Sequence, residues 1–449
     1  MDYAAVAYDG ALTSVKQPLD AVHHACLRVA TGAFRTSRRA SLLVDAGEPP
    51  LDMRRKRLSL IYASKMKQYP THPTYKWLFD PTMTDTFIAC RPSSSQPLCV
   101  RLSLWLEGSG MEFEMISQKR PQKAEPWRDL AVQCDRELLA LGKSATQPIV
   151  LQQSALEKIA SYEDFSVFYT DGSKSVSGAG CAFVGQDVSR GFSLPRSVSV
   201  FTTELCAIIQ VLRYIMRRPG GRFLIVTDSA SSLAALQSSH SPKSWLEPTI
   251  RRLIKAASSA GYIIQFLWVP SHVGIPGNEK ADLEAKLASE KPPPRTFRIP
   301  APDLKAEINN LIKTEWQARW DAEPDCALRQ IRPSVERWES SNRRSRREEV
   351  CLTRLRIGHT YASHGHYLSG SEPKRCPHCD SRMTVQHALT DAACNELMAV
   401  RRRFLPPMPL VSVLGDSSTV EFHRVLSYLT EIEFDIIYDP SRVQPQQRI

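Results

Sequence analysis

Between residues 162 and 290 the spacing of apolar positions alternates between a strand-like period of two and a helical period near 3.6, and this stretch organises the chain. Phe165-Ser166-Val167-Phe168-Tyr169 reads as a strand that ends at Asp171, where Gly172 and Ser173 call for a turn. Gly178 to Val184 and Gly191 to Leu194 continue it as a meander. Leu205, Ile208, Ile209, Leu212, Ile215 and Met216 then recur at helical spacing, with Thr202 or Thr203 as N-cap. Phe223 to Val226 is a short strand ending at Asp228. Helices over Ser231 to Gln237 and Trp245 to Ala257 follow, then a strand over Tyr262 to Val269. Asn278 is expected to cap a last helix carrying Leu283 and Leu287. Hairpin strands followed by alternating helices and strands predict an α/β fold, a mixed five-stranded sheet with helices on its faces.

The flanks are mainly helical. Pro18-Leu19-Asp20 suits a helix start, with Val22, Ala25, Cys26 and Val29 on one face and a stop near Gly32. A second helix should follow Gly47-Glu48-Pro49-Pro50 and run through Leu58, Ile61, Tyr62 and Met66. Prolines break residues 70 to 160, leaving Leu98 to Leu106 and Trp127 to Leu141 as the ordered pieces. Beyond Pro292-Pro293-Pro294 a helix is expected from about Asp303 to Asp321, then an arginine-dense run (Arg343, Arg344, Arg346, Arg347, Arg354, Arg356), a Cys/His cluster and a tail. The expected division is 1–80, a connector over 81–160, the α/β domain over 161–291, a helical linker over 292–330, the arginine and Cys/His segment over 331–405, and a tail over 406–449.

Composition narrows the class. A formal charge of +11 favours a polyanionic partner, nucleic acid first. Arg35, Arg38, Arg39, Arg54, Arg55, Lys56 and Arg57 suit a phosphate-contacting face or a solvated helix face equally. Eleven cysteines without an even, regular framework suit a reducing compartment. No secretory signal and no run of about 18 apolar residues is evident, so the expectation is an intracellular protein, nuclear or cytoplasmic, without a membrane partner.

Four carboxylates sit at predicted element boundaries: Asp171, Glu204, Asp228 and Asp282. Strand ends and helix starts of such a sheet converge on one edge, so the four can share a site. Clustered carboxylates repel one another unless cations neutralise them, and hard oxygen ligands suit Mg²⁺, with Mn²⁺ as a substitute. Two such ions ~3.5–4 Å apart would activate water and stabilise a leaving oxygen, the chemistry of phosphodiester hydrolysis. His272, in the loop ten residues before Asp282, is the residue type suited to shuttling a proton.

Tyr-Thr-Asp-Gly-Ser at 169–173, Thr-Glu-Leu at 203–205, Val-Thr-Asp-Ser at 226–229 and Val-Pro-Ser-His-Val-Gly-Ile-Pro-Gly-Asn-Glu-Lys-Ala-Asp at 269–282 together resemble type 1 ribonuclease H. The resemblance is closest to the ribonuclease H domains of non-LTR retrotransposon polyproteins. It implies cleavage of the RNA strand of an RNA–DNA hybrid, with Asp171, Glu204, Asp228 and Asp282 holding two Mg²⁺. It also implies that Asp171 bridges the ions and that His272 assists proton transfer or product release. No small-molecule substrate is implied. His23 to Arg35 with Gly47 to Pro50 is similar to the segment after the polymerase palm, implying a thumb-like nucleic-acid-holding role. No Asp-Asp pair occurs in the chain, so no DNA synthesis is expected. The alternative reading is a non-catalytic nucleic-acid-binding remnant of such a polyprotein.

Cys376-Pro377-His378-Cys379, His387 and Cys394 are thiolates and imidazoles at spacings that suit a tetrahedral Zn²⁺. His378 is the alternative to Cys394 as fourth ligand. The same polyproteins carry a similar knuckle, and beside Arg343 to Arg356 it would grip RNA.

Overall fold

The computed structural model describes residues 2–90, 96–111, 113–118, 132–142, 145–238, 242, 244–294, 296–323, 326–338, 345–416 and 421–437. The chain forms two compact units, one of residues 59–309 and one of residues 1–58 with 310–449.

Six strands build the sheet of the first unit: β1 (Cys134–Asp135), β2 (Ser166–Lys174), β3 (Ala179–Gly185), β4 (Val188–Leu194), β5 (Arg222–Thr227) and β6 (Ile263–Trp268), in the order β1-β6-β5-β2-β3-β4. The fold is the expected mixed α/β sheet with one strand more. The extra strand is the two-residue β1, which pairs parallel to the β6 edge. It comes from the proline-broken connector, where it carries too little pattern to read. Of the ordered piece expected over 127 to 141, residues 127–131 lie outside the described residues, and Glu137–Leu141 is a short 3-10 helix.

Alternation along the strands feeds two apolar layers. Phe168, Phe183, Phe223, Ile225 and Phe266 pack with Leu205, Ile208, Leu212 and Ile250 of helices Val200–Ile215 and Leu246–Ser259. Leu224, Val226 and Leu267 pack with Leu151 and Ala155 of helix Pro148–Ala160. Helix Pro276–Ser289 lies close on β3, where a Cβ at Gly180 would stand 2.4 Å from the Ala285 carbonyl oxygen. Small residues (Ala281, Ala285 and Ala288, all buried) allow that approach. Leu283 and Leu287, expected on its apolar side, are exposed.

Caps and ends differ from expectation in ways that matter for the site. Strand β2 does not stop at Asp171 but runs on through Gly172 and Ser173, which pair with Cys181 and Gly180. Helix Val200–Ile215 is capped by Ser199, whose Oγ accepts from Thr202 N, so Glu204 stands one turn in. Asn278 lies inside helix Pro276–Ser289, freeing its side chain for another task.

In the second unit helix Thr13–Thr31 closes on Gly32 at φ 73°, as the sequence suggests, but it begins ahead of Pro18. The Val22, Cys26 and Val29 side is exposed, because the helix packs through Leu27 instead. Several basic side chains are held by ion pairs: Arg54 with Asp2 and Glu48, the buried Arg55 with Asp9, and Lys56 with Glu315. Arg356 is buried against the Trp338 ring, and Arg354 donates to the Gly32 carbonyl, so these two arginines serve packing. Arg343 and Arg344 lie outside the described residues. Among the described residues no helix is long and apolar enough to cross a membrane.

Candidate active site

The parallel ladder between β2 and β5 ends at the pair Thr170 and Thr227. Asp171 and Asp228 are the next residues on the two neighbouring strands, so they stand side by side where that ladder ends, about one strand spacing (~4.8 Å) apart. Beyond that point β2 continues on β3 alone, and Gly172 makes room for the helix bearing Glu204. A Cβ at Gly172 would stand 2.6 Å from the Glu204 backbone nitrogen. Thus Glu204 is brought onto the same edge, and oxygens of Asp171, Glu204 and Asp228 lie within 4.8 Å of one another. Asp282 stands close enough for its charge to act on the Asp171 and Asp228 carboxyls. It also lies with His272 and Glu279 in an adjoining group whose ligand atoms are within 4.8 Å. Three of the four carboxylates singled out in the sequence therefore meet, and the fourth, Asp282, stands with His272 in the adjoining group.

Burial and mutual repulsion set the protonation of this cluster. Asp171 is 6% exposed and its carboxyl is pushed up to about 8, by burial first, then by the charges of Asp228 and Asp282. Glu204, equally buried, is raised by burial and by Asp171 and Asp228. Asp228 is raised by burial, although a hydrogen bond from Asn278 opposes this. Asn278 Nδ2 donates to Asp228 Oδ2 at 3.3 Å, and Trp268 Nε1 donates to the Asp228 carbonyl at 2.9 Å. Among the described residues, Glu204 Oε2 is buried without a hydrogen-bond partner. An unsatisfied carboxylate oxygen amid three further acids is the surrounding that a hard divalent cation neutralises, so the residues fit Mg²⁺.

His272 sits on the exposed rim with φ 55°, a left-handed conformation uncommon outside glycine. Three groups here escaped the sequence reading: Asn278, Glu279 and Lys286. Glu279 and Lys286 fall three residues before and four after Asp282, the helical spacing that puts all three on one face.

Residues 163–290 match the RNase H family model. This sheet with its acidic edge is a ribonuclease H domain, which supports a hydrolase acting on nucleic acid.

The Cys/His cluster also assembles. Cys376, Cys379, His387 and Cys394 offer ligand atoms within 4.8 Å of one another, and His378 is not among them. Ligands ~2.3 Å (sulfur) and ~2.0–2.1 Å (nitrogen) from a tetrahedral centre stand about 3.8 Å apart for two sulfurs and about 3.5 Å for sulfur and nitrogen. Cys376 Sγ and Cys394 Sγ are 3.9 Å apart, and Cys379 Sγ and His387 Nε2 are 3.5 Å apart. The geometry fits Zn²⁺. Burial raises the Cys376 thiol, but hydrogen bonds from His387 and the backbone of His378 and Cys379 outweigh it and hold the thiol down to about 6. Asp391 Oδ2 lies 2.9 Å from His387 Nδ1, which leaves Nε2 facing the sulfurs. The buried Arg401 donates to the carbonyls of His387, Ala388 and Asp391, closing the loop behind the ligands.

Proposed function

We propose that the ribonuclease H domain is an Mg²⁺-dependent endonuclease that hydrolyses the RNA strand of an RNA–DNA hybrid. The observation that carries this reading is the meeting of Asp171, Glu204 and Asp228 at one sheet edge, with Asp282 in the adjoining group. Divalent ions held there would supply a nucleophile from water at neutral pH and charge stabilisation at the leaving oxygen. Asp171, beside Glu204 and Asp228 and within the field of Asp282, is the side chain that would serve two ions. Glu204 contributes the oxygen that has no hydrogen-bond partner among the described residues. Asn278 keeps Asp228 turned to the cluster. His272, beside Glu279 and Asp282, is placed to carry a proton to the departing oxygen as water adds to phosphorus and the P–O bond breaks.

The test is a labelled hybrid incubated with Mg²⁺, with single-stranded RNA and duplex DNA as controls. Cutting confined to the hybrid's RNA strand, lost in Asp171→Asn, is the expected result. A folded protein that binds the hybrid and leaves it intact in Mg²⁺ and in Mn²⁺ would make this a non-catalytic binding module.

The motif resemblance extends the proposal to the whole chain, as the C-terminal portion of a non-LTR retrotransposon product acting inside the cell. A thumb-like N-terminal segment and a zinc knuckle formed by Cys376, Cys379, His387 and Cys394 flank the nuclease. On this reading the protein extends no primer, and a primer-extension assay checks it.

A further inference from the structure

Four aromatic rings run in contact through the segment just ahead of the Cys/His cluster. His359 and His364 stack with centroids 3.7 Å apart and planes 15° apart. His364 meets Tyr367 at 5.8 Å, and Tyr367 meets His366 at 4.0 Å. The inner end is anchored: His359 Nδ1 hydrogen-bonds Thr36 Oγ1 at 2.9 Å, and His364 Nδ1 hydrogen-bonds Ser363 Oγ at 2.8 Å. The inner pair is also uncharged, since burial above all pushes His359 down to about 3 and His364 down to about 4. It is a neutral stack, not a cationic patch.

The outer end is open. Tyr367 is 61% exposed and Leu368 beside it is 52% exposed. Arg382 reaches the same place, its Nη2 lying 3.4 Å from His366 Nε2. Among the described residues no carboxylate pairs with Arg382. The short turn bearing Cys376 and Cys379 positions it, through an antiparallel bridge between Arg375 and Arg382. A large ring that the fold supports from behind but leaves bare in front, next to an unmatched guanidinium, has few uses in packing. Every nucleobase has a π-face for the ring and every nucleotide a phosphate for the cation.

We propose that Tyr367, supported by His366 and flanked by Arg382, is a binding site for single-stranded nucleic acid, with an unpaired base on the Tyr367 ring and the adjoining phosphate on Arg382. Paired bases present no free face, so duplexes are excluded from the ring. The site is built from other residues than the acidic edge and does not depend on hydrolysis there.

The test is fluorescence anisotropy of the full chain with labelled single strands of about 15 nucleotides, one RNA and one DNA of the same sequence, and with the corresponding DNA duplex. Tyr367→Ala should weaken single-strand binding about 5- to 100-fold, the range expected for loss of one stacked base. Tyr367→Phe, which keeps the ring, should stay within about twofold of the parent. Arg382→Ala should weaken binding and flatten its salt dependence by about 0.7 in log–log slope. The RNA and DNA arms show which sugar is preferred, and a loss on either supports the site. Duplex binding and hybrid cleavage should be unchanged in Tyr367→Ala, which separates this site from the nuclease. Parental single-strand affinity in Tyr367→Ala and Arg382→Ala, with unaltered circular dichroism, would overturn the proposal. So would equal losses in Tyr367→Ala and Tyr367→Phe.

Discussion

Lys286 Nζ lies 2.5 Å from Asp282 Oδ2, one helical turn further along the same helix. The Asp282 charge in turn acts on Asp171, so the ammonium stands at the end of the acidic row. Asp282 first, then the Asp171 and Glu279 charges, raise the Lys286 pKa, which shows how far the field of the cluster reaches. A divalent ion drawn to Asp282 must compete with this lysine. Because the lysine side chain is half exposed, the competition is modest, within the ~0.2–1 kcal/mol of surface pairs.

Lys286→Ala should therefore lower the Mg²⁺ concentration for half-maximal cleavage by about two- to fivefold, while Lys286→Arg leaves it near the parent value. Calorimetric titration of Mg²⁺ into the protein without substrate should show the same ordering. Equal half-saturation in the parent and Lys286→Ala would mean that the lysine yields Asp282 at no cost.

The raised acids make metal-free stability depend on pH with a definite sign. Asp171 titrates at about 8 in the folded protein. Its unfolded value is about 3.9. Between those values the folded state holds a proton that the unfolded state has lost, so stability falls as pH rises from about 4 towards about 8. Thermal melts in a metal-free buffer should show that decline. Asp171→Asn should flatten it and raise the melting temperature near pH 8, while abolishing cleavage by at least about 100-fold. Added Mg²⁺ should stabilise the parent more at pH 8 than at pH 6, because at pH 6 the ion must displace the proton.

Gly172 is a steric requirement. An alanine there would drive its Cβ into the Thr203–Glu204 backbone. Overpacking of this kind typically costs about 1–3 kcal/mol, and here the helix that must give way carries Glu204. Gly172→Ala should lower the denaturant midpoint and reduce cleavage more than the stability loss accounts for. A destabilised variant with parental activity at low temperature would show that Glu204 tolerates the shift.

Asp391 should matter to zinc without touching it. Its hydrogen bond to His387 Nδ1 selects the tautomer that presents Nε2 to the sulfurs. Asp391→Ala should weaken Zn²⁺ retention about 10- to 100-fold in a chelator competition. Cys394→Ser should release the ion more readily than Asp391→Ala, whereas His378→Ala should leave retention unchanged. Loss on His378→Ala would mean that the fourth ligand is His378 instead of Cys394.

Local chemistry made part of this protein readable in one dimension. The period of apolar residues separates strands from helices in residues 162–290, because a two-residue repeat and a 3.6-residue repeat cannot both bury one face. Asp171, Glu204, Asp228, Asp282 and His272 could be picked out as residue types at element boundaries, and Cys376, Cys379, His387 and Cys394 as a spacing. The strand after Gly172, the cap at Ser199 and the short β1 were not readable, because each depends on a partner far along the chain. Asp171 remains in a strand because β3 continues beside it, and Ser199 caps because Asp303 receives its hydroxyl at 2.8 Å.

The amino-acid order by itself determined which groups could do chemistry and on what kind of element each would stand. Only the tertiary structure decided which of them meet. The ladder between β2 and β5 ends one residue short of both Asp171 and Asp228, Gly172 lets Glu204 approach, and one helix face carries Glu279, Asp282 and Lys286 together. The same holds for the row from His359 to Tyr367, whose inner end rests on Thr36. The physical reason is that a carboxylate's pKa, a thiol's neighbours and a ring's exposure are set by groups a few ångströms away in space, whatever their separation along the chain.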